Sequence, residues 1–225
     1  MFTAHTHQFL LDLQENNQRE WFQAHKDAYE ASHAEAIDFA DGLLAMMQEH
    51  DLIETPSGKK SLLRIYRDTR FSKDKTPYKN YWGGGFRRAT AALRGGYYFQ
   101  IQPGGSYVGG GFYGPNKEDL LHLRKHIEQD ADLLREVIDS ADFKDTFEVL
   151  RGEQVKSAPK GFAKDHPNID LLRYKRYVVR HNVPDEIAFS ADMVAYSNGI
   201  FKKIRPFFDA MSEYLTTDLN GISLV

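Results

Sequence analysis

The residue types best suited to chemistry fall in one run, Arg64-Ile65-Tyr66-Arg67-Asp68-Thr69-Arg70-Phe71-Ser72-Lys73-Asp74-Lys75-Thr76-Pro77-Tyr78-Lys79. A guanidinium fork takes carboxylate or phosphate oxygens two at a time, and lysines supply compact point charges beside it. Arg67, Arg70, Lys73, Lys75 and Lys79 are therefore candidate binders of an anionic ligand, phosphorylated or carboxylated. Asp68 is placed to orient a fork, and Thr69, Ser72 and Thr76 add neutral donors. Downstream, Gly83-Gly84-Gly85 lets backbone N–H groups approach a ligand. The structural alternative is a corner in which Asp68 and Asp74 pair with the arginines and cap turns, while Phe71 and Tyr78 anchor the loop.

A second polar loop, Gly161–Lys175, sets His166 beside Asp165 and Asp170. A histidine next to carboxylates can act as a general base near neutral pH, so His166, Asp68 and Asp170 are the candidate catalytic residues. That role requires this loop to fold over the basic run. The alternative is a rigid His-Pro turn with Asp170 capping the segment after it. His122 and His126 have metal-ligand spacing on a helix, but they lie off the Leu120/Leu123/Ile127 stripe and are expected to face solvent; no metal is expected. His5 and His7 fall at a terminus expected to fray. Gly109-x-Gly111-x-x-Gly114 matches a dinucleotide fingerprint in letters only, because its strand reads as part of a hairpin, not of a βαβ unit. No cofactor is expected.

Charge singles out the same region. Lys59 to Arg94 holds 11 basic residues and two acids, against a chain total of −3, so the rest of the protein is acidic. A positive segment on an acidic body focuses its attraction for anions locally. Tyr66, Phe71, Tyr78, Tyr81, Trp82 and Phe86 interleave with these cations, the composition that stacks bases along a phosphate backbone. Nucleic acid is thus the second hypothesis, opposed by a pI near 6.3. A protein-interaction module with no small ligand is the third. The residues do not decide between an enzyme and a binding protein, nor do they set an oligomeric state.

The elements that must position these groups follow from periodicity. With 225 residues, 41% hydrophobic and 27% charged, the chain reads as globular, not disordered. The absence of cysteine excludes disulfides, thiolate metal sites and a cysteine nucleophile, and fits a reducing, cytoplasmic setting. Neither a membrane span nor a signal peptide is legible. Residues 1–50 read as helices, with Asn17-x-x-Glu20 as a capping box. Ser61–Asp68, Tyr81–Arg88, Gly96–Gln102, Ser106–Tyr113 and Tyr174–Arg180 read as strands, the middle pair a hairpin around Pro103-Gly104-Gly105. Helix is expected from Asn116 to about Asp139, around 143–150, and over Ser190–Leu215 with Pro206 kinking it. The expected architecture is α+β in a single domain spanning 1–225: helical 1–50, basic segment and sheet 59–114, helices and a return strand 115–225. Its glycine-rich, largely antiparallel sheet carries helices from both chain ends.

Three runs, in order, carry a resemblance: Asn16-Asn17-x-Arg19-Glu20-Trp21-Phe22, then Arg64 to Lys79, then Gly161-Phe162-x-x-Asp165-His166-Pro167-x-x-Asp170-Leu171-Leu172-x-x-Lys175. Together they resemble the signature of the microbial family labelled domain of unknown function 2461, over nearly the whole chain. The resemblance implies a single-domain protein and supplies neither an activity nor catalytic residues.

Overall fold

Thr3 opens the first helix by accepting the His5 N–H on its hydroxyl at 3.1 Å, so the segment that carries His5 and His7 is anchored, not frayed. Phe2 is buried, and His7 packs tilted against Phe189 with ring centroids 4.4 Å apart. The computed structural model describes residues 2–225. Its helices are α1 (Ala4–Glu15), α2 (Arg19–Ala24), α3 (Lys26–Gln48), α4 (Gly58–Ser61), α5 (Lys117–Gln129), α6 (Asp132–Ile138), α7 (Ala141–Phe147), α8 (Ile169–Leu172), α9 (Asp185–Ala188) and α10 (Met193–Thr216). Its strands are β1 (Trp82–Arg87), β2 (Gly96–Ile101), β3 (Tyr107–Phe112) and β4 (Tyr177–Asn182). The strands form one antiparallel sheet in the order β1-β2-β3-β4, so the class is α+β, as the period change after residue 58 predicts.

Several start signals work as read. Asn116 accepts the Asp119 N–H at 2.7 Å to open α5, and Ser140 accepts that of Phe143 at 3.2 Å to open α7. Two expectations fail for local reasons. The long helix after Asn116 breaks at Asp130–Ala131, where Asp130 turns extended and caps the Asp132 N–H at 2.8 Å. The capping box at Asn17 does not form. Gln18 precedes α2 without a side-chain cap, because the Asn17 amide is committed to Tyr78 instead.

Residue contacts divide the chain into two units, and each takes part of every strand. The first comprises the chain up to Phe86, Tyr98–Val108 and Asn182–Gly199. Its core joins the apolar faces of α1 and α3 to β1 and β2, with Phe39 meeting Phe99 edge-on at 5.0 Å. Gly84 has its place here because a Cβ would stand 2.5 Å from Phe99 Cζ; the triple glycine serves aromatic packing. A buried polar relay fixes the register of β1 on α3. The Trp82 indole N–H donates to Ser32 Oγ at 2.8 Å, and the Ser32 and Thr6 hydroxyls are 3.0 Å apart. Thr6 spends its single proton on Glu35 at 2.6 Å, which leaves the Ser32 proton for Thr6.

The second unit comprises Arg87–Tyr97, Gly109–His181 and Ile200–Val225. Its core is aromatic: Tyr97 packs on Phe201 and Phe208 at 4.8 and 4.9 Å, and Phe112 meets Phe207 edge-on. Pro206 sits inside α10 and removes a helical hydrogen bond, a loss of about 3 kcal/mol. Complete burial of Ile204, Phe207, Phe208 and Met211 around it offsets that cost. Gly111 adopts φ +147° and lies so close to β4 that a Cβ would stand 2.2 Å from Tyr177 O. Gly109 and Gly111 of the fingerprint are therefore close strand packing, as the hairpin context implies.

Candidate functional site

Local pairing builds the site. After α4, residues 62–67 run antiparallel to 77–84, with Leu62 opposite Gly84 and Tyr66 opposite Tyr78. The Arg67 N–H donates to Pro77 O at 2.9 Å and the Lys79 N–H to Ile65 O at 2.8 Å. Leu62 and Tyr66 are four positions apart while Tyr78 and Gly84 are six apart, so the second limb bulges by two residues opposite Arg64. Asn80 and Tyr81 lie in that bulge. Asn17 brackets the hairpin: its amide donates to Tyr78 O and accepts from Tyr78 N, both at 3.0 Å, as a neighbouring strand would. The Tyr78 ring stacks on Phe22 at 4.0 Å and 13°.

Between the bulge, the end of α1 and the end of β2 lies an open cleft of about 560 Å³. Gln14, Arg67, Lys79, Asn80, Tyr81 and Gln102 are among its walls. It lies within the range typical of ligand pockets.

The structure separates the predicted cations. Arg67 donates to Asp74 Oδ2 at 2.5 Å, to Thr76 O at 3.1 Å and to the Thr76 hydroxyl. Arg70 grips Asp68 with both arms, Nε to Oδ1 at 3.0 Å and Nη2 to Oδ2 at 2.7 Å, while its side chain stays 77% exposed. Lys75 donates to Thr69 O at 2.8 Å, and Lys73 has no partner among the described residues. The forks thus tie up the hairpin tip, and Phe71 stands out 96% exposed beside Arg70. Tyr78, Trp82 and Phe86 are core residues, which leaves Tyr66 and Phe71 as the well-exposed aromatics of the basic run.

Lys79 differs from the other cations. Its ammonium donates to Tyr66 O at 3.0 Å and to Arg64 O, and no carboxylate meets it. One of its three N–H groups remains for the cleft it lines. Burial, then the like charges of Arg64 and Arg67, hold its pKa below the ordinary lysine value. Asp74 is held at about 2 by hydrogen bonds from the Thr76 backbone, the Thr76 hydroxyl and Arg67. Asp68 is lowered by the side chain and backbone of Arg70. Both carboxylates are therefore ionised at neutral pH and cannot act there as general acids.

The polar groups of the 161–175 loop are held by their own surroundings. Asp170 is gripped by Arg135 at 2.6 and 2.9 Å. His166 Nε2 lies 3.1 Å from Glu128 O while its Nδ1 accepts the Asn168 N–H at 3.0 Å, so both ring nitrogens serve the loop. His122 and His126 do not face solvent. Both reach Thr217 O through Nε2, at 2.8 and 3.0 Å, and His126 is buried, because the segment after α10 folds back over α5. Among the described residues no group of three or more His, Asp or Glu is placed to hold a metal ion, and no helix is long and apolar enough to cross a membrane.

Sequence reasoning missed Gln14, Asn80 and Gln102. Amides without a motif carry no signal until the bulge and the end of β2 bring them together. The family model described as "Conserved hypothetical protein (DUF2461)" matches residues 5–209. Neither a curated protein nor a solved structure gives a significant match.

Proposed function

We propose that this chain, which belongs to the DUF2461 family, binds a small ligand bearing one anionic oxygen group in the cleft at the base of the hairpin. Lys79 is the group that meets the anion. The observation that carries this reading is a partly buried ammonium on the cleft wall, without a carboxylate and with one N–H to spare. Arg64, whose guanidinium has no partner among the described residues, adds positive potential beside it. Arg67 holds the hairpin in shape through Asp74 and Thr76, and Arg70, Lys73 and Lys75 belong to the tip. The role is binding, and Asp68 and Asp74, pinned in the ionised form by their partners, have no proton to donate there at neutral pH.

Thermal-shift titration with phosphorylated and carboxylated metabolites tests this. A ligand at a hundredfold excess over its Kd adds about 2.7 kcal/mol, which raises the Tm by roughly 5–10 °C for a chain of this size. Lys79→Met abolishes the shift and Arg70→Ala leaves it intact. Affinity also falls as pH rises through the lowered Lys79 pKa, earlier than for an ordinary lysine. A broad panel without a hit, or a hit indifferent to Lys79→Met, overturns the reading.

A second reading, nucleic acid, draws on the nearly bare Phe71 ring beside Arg70 and on the half-exposed Tyr66. Oligonucleotide binding that weakens steeply with salt and is lost in Phe71→Ala, but not in Lys79→Met, would establish it instead.

A further inference from the structure

Lys79 accounts for the anionic part of the reading, and the other polar groups lining the cleft are of a different kind. Of the four charged residues on the walls, Arg67 and Asp74 neutralise each other and Asp68 is gripped by Arg70. Lys79 carries the one uncompensated charge. The remaining polar surface is uncharged. Asn80 donates to Gln14 Oε1 at 2.9 Å, which leaves Gln14 Nε2 and Asn80 Oδ1 without partners among the described residues. The Tyr81 hydroxyl has none either, and burial raises its pKa, so it keeps its proton as both donor and acceptor.

Gln102 is aimed by a relay along one face of β2. The Tyr98 hydroxyl donates to Gln100 Oε1 at 3.4 Å, and Gln100 Nε2 donates to Gln102 Oε1 at 2.7 Å. With its oxygen occupied from behind, Gln102 has its two N–H donors left for the cleft. Two amide nitrogens, an amide oxygen and a phenol therefore come from residues that line the same cleft as one ammonium. Mixed neutral donors and acceptors match ligand groups that both give and take hydrogen bonds, and a hydroxyl does both from a single atom.

Resting on the reading of Lys79 as an anion site, we infer that the ligand is a hydroxyl-rich monoacid: a sugar acid or a sugar monophosphate, with its acid at Lys79 and its hydroxyls on Gln14, Asn80, Tyr81 and Gln102. A site built to hydrogen-bond hydroxyls discriminates against an analogue that lacks them, because its own polar groups are then left unpaired.

Isothermal titration of the intact protein with five probes tests this: glucuronate, glucose 6-phosphate, glucose, hexanoate and inorganic phosphate. The expected result is that glucuronate or glucose 6-phosphate, whichever carries the right acid, binds at least about tenfold tighter than hexanoate and phosphate. Lys79→Met removes all acid binding. Gln102→Leu lowers the hydroxylated acid to the level of hexanoate and leaves hexanoate unchanged; the hexanoate comparison in the unaltered protein needs no variant to fold. Equal, Lys79-dependent binding of hexanoate and both sugar acids overturns the hydroxyl assignment and leaves the anion site standing. Binding of glucose as tight as that of its acids, indifferent to Lys79→Met, overturns both, as does the absence of any binding.

Discussion

Replacing Asn17 distinguishes a bracket on the hairpin from a helix cap. In Asn17→Ala, Tyr78 loses partners for both its N–H and its C=O, each at 3.0 Å, on a residue only 3% exposed. A stranded buried donor or acceptor costs about 1–3 kcal/mol, and partial access of water to the loop keeps the pair to about 2–4 kcal/mol. For a chain of this length that is a fall in Tm of roughly 4–16 °C. Asn17→Asp is the sharper variant. Its carboxylate still accepts from Tyr78 N but sets a charged oxygen against Tyr78 O, at a cost of about 1–3 kcal/mol. At a helix N-cap, Asp and Asn are equivalent, and Ala costs about 1 kcal/mol. Urea unfolding at pH 7, followed by circular dichroism, measures all three proteins. An Asn17→Asp variant as stable as the parent, with Asn17→Ala down by no more than about 1 kcal/mol, would refute the bracket and restore the cap.

Other outcomes follow from the same geometry. Gly84→Ala places a methyl 2.5 Å from Phe99 Cζ and is expected to destabilise by about 1–3 kcal/mol in the same unfolding assay. Ser32→Ala strands the Trp82 indole N–H, at about 1–3 kcal/mol; in a Trp82→Phe background most of that cost disappears, which a double-mutant cycle reads. The folded pKa of Asp74, about 2, lies below its usual 3.8, so its contribution to hairpin order is complete above pH 4 and is lost as pH falls through 2. The Thr76 amide resonance should move across that window, and Asp74→Asn should flatten the titration at the acid end while loosening the tip at neutral pH.

The elements were legible wherever one rule acted alone. Hydrophobic period located α1, α3 and α10, and alternation around Pro103-Gly104-Gly105 located the β2–β3 hairpin within a residue or two. The capping box failed because Asn17 satisfies a cap pattern and a strand-like bracket equally well in letters, and only a residue 61 positions away decides between them. Ser61–Asp68 did not become a full strand, because α4 takes Ser61 and the bulge opposite Arg64 leaves pairing only at its two ends. The Arg64–Lys79 run folds as the hairpin at whose base the cleft lies, and the partners of its arginines are local: carboxylates two and seven residues away take the guanidinium groups of Arg70 and Arg67. His122 and His126 misled for a related reason: a helical wheel places them off the apolar stripe, but a wheel contains no returning segment to receive them.

The hairpin's unequal limbs make the cleft detachable. An odd surplus would turn every later side chain of that limb to the opposite face, whereas an even one can be excised without disturbing which residues point inward. Deleting Asn80 and Tyr81 together should therefore zip the limbs shut over Arg64, keep the Trp82 anchor in register and yield a folded protein with no cavity there, in which recognition and architecture can be assayed apart.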